Sequence, residues 1–117
     1  MKSVKPRILA RTITRAMRTF PSVVITGPRQ SGKTTLLKTL LGKTHTFVSL
    51  EDPDIRTLAR DDPRSFLEQY KPPLILDEIQ YVPELLSYIK TRIDIQRTPG
   101  QWIITGSQNF LLMKGVT

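Results

Sequence analysis

An apolar run, Val23-Val24-Ile25, leads almost directly into Gly27-Pro28-Arg29-Gln30-Ser31-Gly32-Lys33-Thr34, and a helical stretch follows from Thr35 to about Leu41. A strand, a glycine-bounded loop ending in Lys-Thr and a helix, in that order, narrow the available folds more than any other feature of the chain. The two glycines permit a tight loop whose backbone N–H groups point inward, a cradle suited to phosphate oxygens. Lys33 then stands where an ammonium reaches β- and γ-phosphates, and the Thr34 hydroxyl where it can ligate Mg²⁺. The helix adds the positive end of its dipole. The candidate phosphate-contacting residues are therefore Gly27, Pro28, Arg29, Gln30, Ser31, Gly32, Lys33, Thr34 and Thr35. The plain alternative is a glycine-bearing turn that caps a helix.

The rest of the chain alternates in the same way. Residues 7–20 read as a helix, with Ile8, Leu9, Ile13, Ala16, Met17 and Phe20 on one side and Arg7, Arg11, Arg15 and Arg18 on another. His45–Leu50 reads as a second strand. Asp52-Pro53 and Asp62-Pro63 each pair an N-cap with a first helical residue, predicting short helices near 53–60 and 63–70 that Pro72-Pro73 ends. Leu74-Ile75-Leu76 is a strand apolar on both faces, as in a parallel sheet, and it runs into Asp77-Glu78. Pro83 opens a helix to about Arg97, with Leu85, Leu86, Ile89 and Ile93 as its core stripe. Trp102–Thr105 is a fourth strand, and Phe110–Lys114 begins another helix. Strands alternating with helices imply an α/β fold with a parallel sheet and right-handed crossovers.

In such sheets ligands bind beyond the carboxyl ends of the strands. Three polar clusters fall there: Gly27–Thr34, Asp77-Glu78 and Ser107-Gln108-Asn109. Asp77 is placed to reach the Mg²⁺ that Thr34 would hold, and Glu78 to orient or activate an attacking water. Ser107 is the first candidate to meet the γ-phosphate or the water, Gln108 the second and Asn109 the third; the same stretch also suits an ordinary loop. Gln80 is either a surface glutamine or an amide that holds Glu78 in an inactive pose. Small GTPases carry a glycine shortly after the Mg²⁺-linked Asp and an N-K-x-D motif, and neither is present. The adjacent Asp77-Glu78 pair points instead to ATP hydrolysis.

Charge adds a separate question. The 117 residues carry a net charge of +8, and residues 1–50 hold ten Lys or Arg and no Asp or Glu. A basic half suits a polyanion partner, with a solvated surface as the ordinary alternative. There is no cysteine, which excludes disulfides and thiolate metal sites and fits a cytoplasmic protein. No apolar run approaches the length of a membrane helix, and the N-terminus lacks the apolar stretch of a secretory signal.

Taken together, residues 27–37, Ser49-Leu50-Glu51-Asp52-Pro53-Asp54, Leu76–Gln80 with Val82–Leu86, and Ile104–Asn109 resemble the N-terminal part of bacterial and archaeal AAA-type ATPases whose C-terminal half is a domain of unknown function. The resemblance implies a P-loop NTPase three-layer sandwich with strand order 5-1-4-3-2. It implies Lys33 and Thr34 as Walker A, Asp77 and Glu78 as Walker B, and Ser107 or Gln108 as sensor 1. Members of that group continue through a fifth strand, a lid and the C-terminal domain. Residues 1–22 are accordingly expected to be a basic helix, and residues 23–117 an incomplete ATP-binding core truncated before the fifth strand and lid.

The leading expectation is an ATP-binding core that takes Mg·ATP and, when complete, hydrolyses it. Lys33, Glu78, Ser107 and Gln108 are its catalytic candidates, Thr34 and Asp77 its metal ligands, and ATP and Mg²⁺ its cofactors. The missing C-terminal domain and further copies of the chain are expected partners. The alternatives are a nucleotide-responsive module that binds nucleic acid through Arg7, Arg11, Arg15 and Arg18, or a remnant without turnover.

Overall fold

Side-chain alternation along four short strands divides the apolar interior into two layers. In the computed structural model, which describes residues 6–27 and 32–107, the strands are β1 (Ser22–Thr26), β2 (Thr46–Ser49), β3 (Leu74–Asp77) and β4 (Trp102–Gly106). All pair in parallel, in the order β1-β4-β3-β2. This is the implied order over the four strands described. The helices are α1 (Pro6–Thr19), α2 (Lys33–Leu41), α3 (Pro53–Asp61), α4 (Pro63–Gln69) and α5 (Leu85–Ile95).

Successive residues of a strand face opposite sides of the sheet. Ile25, Ile75 and Ile103 therefore pack with Ile13 of α1 and Leu37 and Leu41 of α2. Leu74, Leu76, Trp102 and Ile104 pack on the other side with Ala59, Phe66, Leu67, Leu85 and Ile89 of α3, α4 and α5. The result is a three-layer α/β sandwich. β3 lies in the middle and all four of its residues are buried, which accounts for its unbroken apolar run.

Local signals set the ends of the helices. Asp52 caps α3 by accepting from the Asp54 N–H at 2.9 Å, and Pro53 fills the first turn, where no N–H is needed. Asp62 repeats the device for α4, accepting from the amide and hydroxyl of Ser65 at 3.1 and 2.8 Å. Those Ser65 hydrogen bonds hold the Asp62 carboxyl below its ordinary pKa.

Several element ends differ from the sequence reading by a residue or two, and two helices shift for a visible structural reason. α2 begins at Lys33 rather than Thr35, because Gly32 takes a left-handed conformation (φ 83°) and turns the chain into the helix two residues earlier. The helix expected from Pro83 begins at Leu85 and ends at Ile95. Ahead of it comes a 3-10 turn at Ile79–Tyr81, with Ile79 and Val82 fully buried beneath the strand ends. The helix expected at Phe110–Lys114 lies outside the described residues.

At the other end of the sheet Gly100, with φ 75°, brings the chain against α1. A Cβ there would lie 3.1 Å from the Met17 carbonyl oxygen. Its carbonyl is also bonded to buried His45 Nε2 at 2.8 Å. No helix among the described residues is long and apolar enough to cross a membrane.

The α3–α5 layer depends on Phe66, which is fully buried and stacks at a tilt on Tyr70 with ring centroids 5.1 Å apart. Phe66→Ala should cost about 3–5 kcal/mol of stability through lost burial and a residual cavity. Chemical denaturation checks this: the midpoint falls while the slope stays unchanged. A loss below about 1 kcal/mol would contradict this packing.

Candidate functional site

The parallel register fixes what stands at the carboxyl ends of the strands. Ser49 lies beside Asp77, and the pairing of Leu76 with Ile104 carries Thr105 up beside Asp77 from the other side. Alternation gives these three residues the same facing as Phe47, Ile75 and Ile103, toward α2. The Asp77 carboxylate is buried at 5% exposure and sits at the centre of a hydroxyl cage. Its Oδ1 accepts from Thr105 Oγ1 at 2.7 Å and from Thr34 Oγ1 at 3.4 Å, and its Oδ2 accepts from Ser49 Oγ at 3.0 Å. The hydroxyl of Thr34, in the first turn of α2, and the carboxylate of Asp77, 43 residues on, thus meet directly.

Lys33 is also buried, at 4% exposure, and its Nζ donates to the Gly27 carbonyl at 3.2 Å. Among the described residues this ammonium, with three N–H donors, has one carbonyl acceptor. Among the described residues, no heavy atom beyond the chain neighbours of Gly32 lies within 4 Å of where its Cβ would stand. The requirement for glycine there is conformational, since other residues pay about 1–2 kcal/mol in the left-handed region.

Glu78 departs from the strand. It is the one described non-glycine residue with positive φ (62°), and it is 4% exposed. Its N–H donates to Thr105 Oγ1 at 3.0 Å instead of joining the sheet ladder. Strain of about 1–3 kcal/mol at a buried carboxylate persists where its surroundings hold it, and such residues cluster at functional sites. The surroundings here are specific: Gln80 Nε2 donates to Glu78 Oε1, and Gln80 Oε1 accepts from the Ser107 N–H at 3.1 Å. Gln80 is therefore not a surface glutamine but an amide clasped between Glu78 and the end of β4.

The structure thus brings together Gly27, Gly32, Lys33, Thr34, Asp77, Glu78 and Ser107 at one end of the sheet. Thr35, one residue into α2, is exposed. Pro28, Arg29, Gln30, Ser31, Gln108 and Asn109 lie outside the described residues. The sequence reading did not single out Ser49 and Thr105. The signal was present: each stands two residues after an apolar residue on the α2 face and would be seen once the register to Asp77 is known.

The donor set fits a hard cation beside phosphate. Hydroxyl and carboxylate oxygens are its only members, and Mg²⁺ commonly takes one or two protein oxygens with water and phosphate completing its shell. Among the described residues there is no cluster of three His, Cys, Asp or Glu side chains, as an all-protein metal cage would need.

The family model described as "AAA domain" matches residues 19–117. Uncharacterized proteins of Mycobacterium tuberculosis, Rv2008c, and Mycobacterium bovis, Mb2031c, are each 35% identical over 107 residues. The match takes in 89% of this chain and 24% of theirs, so the chain spans about a quarter of the length of the curated relatives it matches. No solved structure gives a significant match.

Thr105→Val keeps the shape and removes both the donor to Asp77 and the acceptor for the buried Glu78 N–H. The expected cost is about 1–3 kcal/mol in urea denaturation. Thr105→Ser should recover most of it; a Val variant as stable as wild type would show that the hydroxyl does not bind this cluster together.

Proposed function

The chain belongs to the AAA-domain family, and we propose from this and from the strand-end geometry that it binds Mg·ATP and supplies the hydrolytic groups of an ATPase. Residues 23–117 serve as the nucleotide core and residues 1–22 as a basic helix attached to it. The observation that carries the reading is the contact of Thr34 with Asp77 beside a buried Lys33. These three groups are what a metal-bound triphosphate needs.

In this reading the residues divide the work. The loop from Gly27 to Thr34 wraps the phosphates with its N–H groups, and α2 directs its positive end at them. Lys33 exchanges its Gly27 acceptor for β- and γ-phosphate oxygens. Thr34 and Asp77 would hold Mg²⁺, which when bound would supply charge neutralisation to the phosphates. Ser49 and Thr105 keep the Asp77 carboxylate turned toward Thr34. Glu78 accepts the proton of the attacking water, and sensing the γ-phosphate is assigned to Ser107 or to Gln108, the next residue in sequence. The full protein, its C-terminal portion, its self-association and its place in the cytoplasm belong to the same proposal.

One observation favours a second reading within the first. The Glu78 carboxylate is engaged by Gln80, which also holds the Ser107 backbone. In this reading the amide holds Oε1 and fixes the carboxylate's pose, so a role as base falls to Oε2 or follows a turn of Gln80 away from it. The chain in this arrangement is a nucleotide-binding module at rest, and Mg·ATP binding with negligible turnover is what that reading expects.

Lys33→Ala should abolish the stabilisation that Mg·ATP gives, about 2.7 kcal/mol at a hundred times the dissociation constant. Equal thermal shifts in wild type and variant would remove the loop's assignment. Glu78→Gln should retain Mg·ATP affinity and lose hydrolysis in any form of the protein that turns over; hydrolysis at the wild-type rate would remove Glu78 from the mechanism.

A further inference from the structure

The topology turns a sequence asymmetry into a spatial one. The described residues before Glu51 contain no acidic side chain, and they build the whole α1/α2 layer and β1 and β2. All ten acidic residues stand at position 51 or later, at strand ends or on the α3–α5 side. One outer layer of the sandwich is therefore cationic without internal neutralisation.

On that layer α1 carries a row. At 100° per residue, Arg7, Arg11, Arg15 and Arg18 fall within an arc of about 80°, and their Cα atoms span about 16 Å along the helix. All four are exposed, and Arg11, Arg15 and Arg18 line a shallow cavity with Ala10 and Thr14. None of the four has an ion pair among the described residues. Their neighbours offer little competition, because the Thr12 and Thr14 hydroxyls donate to their own helix carbonyls. The opposite face of α1 is fixed on the sheet through Ile13 (2% exposed), Leu9 and Met17. Arg18 directly follows Met17, whose backbone and side chain contact the Gly100 turn.

We propose that this face of α1 is a docking site for the sugar–phosphate backbone of duplex nucleic acid, with no base readout. Three features select this partner. Four guanidiniums, rather than ammoniums, pair bidentately with phosphate oxygens. A rigid row about 16 Å long extends over about five base-pair steps of a duplex, measured along its axis at 3.4 Å each. A membrane surface fits less well, because a helix that lies in lipid inserts a broad apolar face, and the core takes Leu9, Ile13 and Met17 of α1, leaving Ile8 as the one exposed large apolar side chain of that helix among the described residues. The site is separate from the strand-end cluster and does not depend on the nucleotide reading.

The test is a salt titration of the chain with a fluorescent duplex of arbitrary sequence, measured beside anionic vesicles of phosphatidylserine and phosphatidylcholine. Four phosphate contacts predict a slope of log affinity against log salt near −3.6, about a hundredfold loss between 50 and 200 mM. Replacing Arg7, Arg11, Arg15 and Arg18 together by Gln should remove that slope, with an unchanged melting temperature because all four are exposed. Removing the same charge from elsewhere, with Arg64, Lys71, Lys90 and Arg97 changed to Gln, should leave at least most of it. If the fourfold variant does not fold, Arg11→Gln and Arg15→Gln singly should each reduce the slope by about 0.9. No duplex binding at 50 mM salt, equal loss in the two fourfold variants, or binding to vesicles in preference to duplex would each overturn the proposal.

Discussion

A single buried carboxylate ties the working end of this molecule together. Asp77 receives hydroxyls from β2, from β4 and from α2, which continues out of β1 through the glycine loop. Three strands and α2 are thus linked at the carboxyl end of the sheet through one side chain. Burying a carboxylate is expensive unless donors replace water, and three hydroxyls do so here. The same arrangement leaves the Thr34 and Asp77 oxygens side by side at the start of α2. The interaction that satisfies the buried charge is also the one that presents oxygen ligands to a cation.

Glu78 depends on this hub at one remove. Thr105 uses its proton on Asp77 and its lone pair on the Glu78 N–H, so the left-handed backbone of Glu78 is held by the residue that steadies Asp77. Gln80 then ties the Glu78 side chain to the Ser107 backbone. A movement at the end of β4 therefore has a short route to the Glu78 carboxylate. The route runs through two hydrogen bonds to one amide rather than through general flexibility.

Much of the fold was legible in the sequence because its signals are local. Asp52-Pro53 and Asp62-Pro63 give two helix starts, Leu74–Leu76 an interior strand, and the glycine loop the transition from β1 to α2. Boundaries that depend on tertiary context were less legible. The stretch from Pro83 carries helical signals, yet the buried Ile79 and Val82 draw residues 79–84 into turns. Within the site, Lys33, Thr34, Asp77 and Glu78 stand out because their types are unusual after apolar strands. Ser49 and Thr105 do not, since a hydroxyl in a short strand is commonplace until its neighbour across the sheet is known. Gln80 is intermediate: its spacing to Glu78 is visible, but its second bond to Ser107 requires β4 to be adjacent to β3.

The proposed function rests on Thr34 and Asp77 forming a cation site beside a bound triphosphate. Its most direct test is the affinity for ATP, by calorimetry, of wild type and Asp77→Asn with excess Mg²⁺ and again with a chelator. The account predicts that wild type binds Mg·ATP far more tightly than metal-free ATP and that Asp77→Asn loses most of that difference. An equal dependence on Mg²⁺ in the two proteins, or no ATP binding by wild type under either condition, would contradict it.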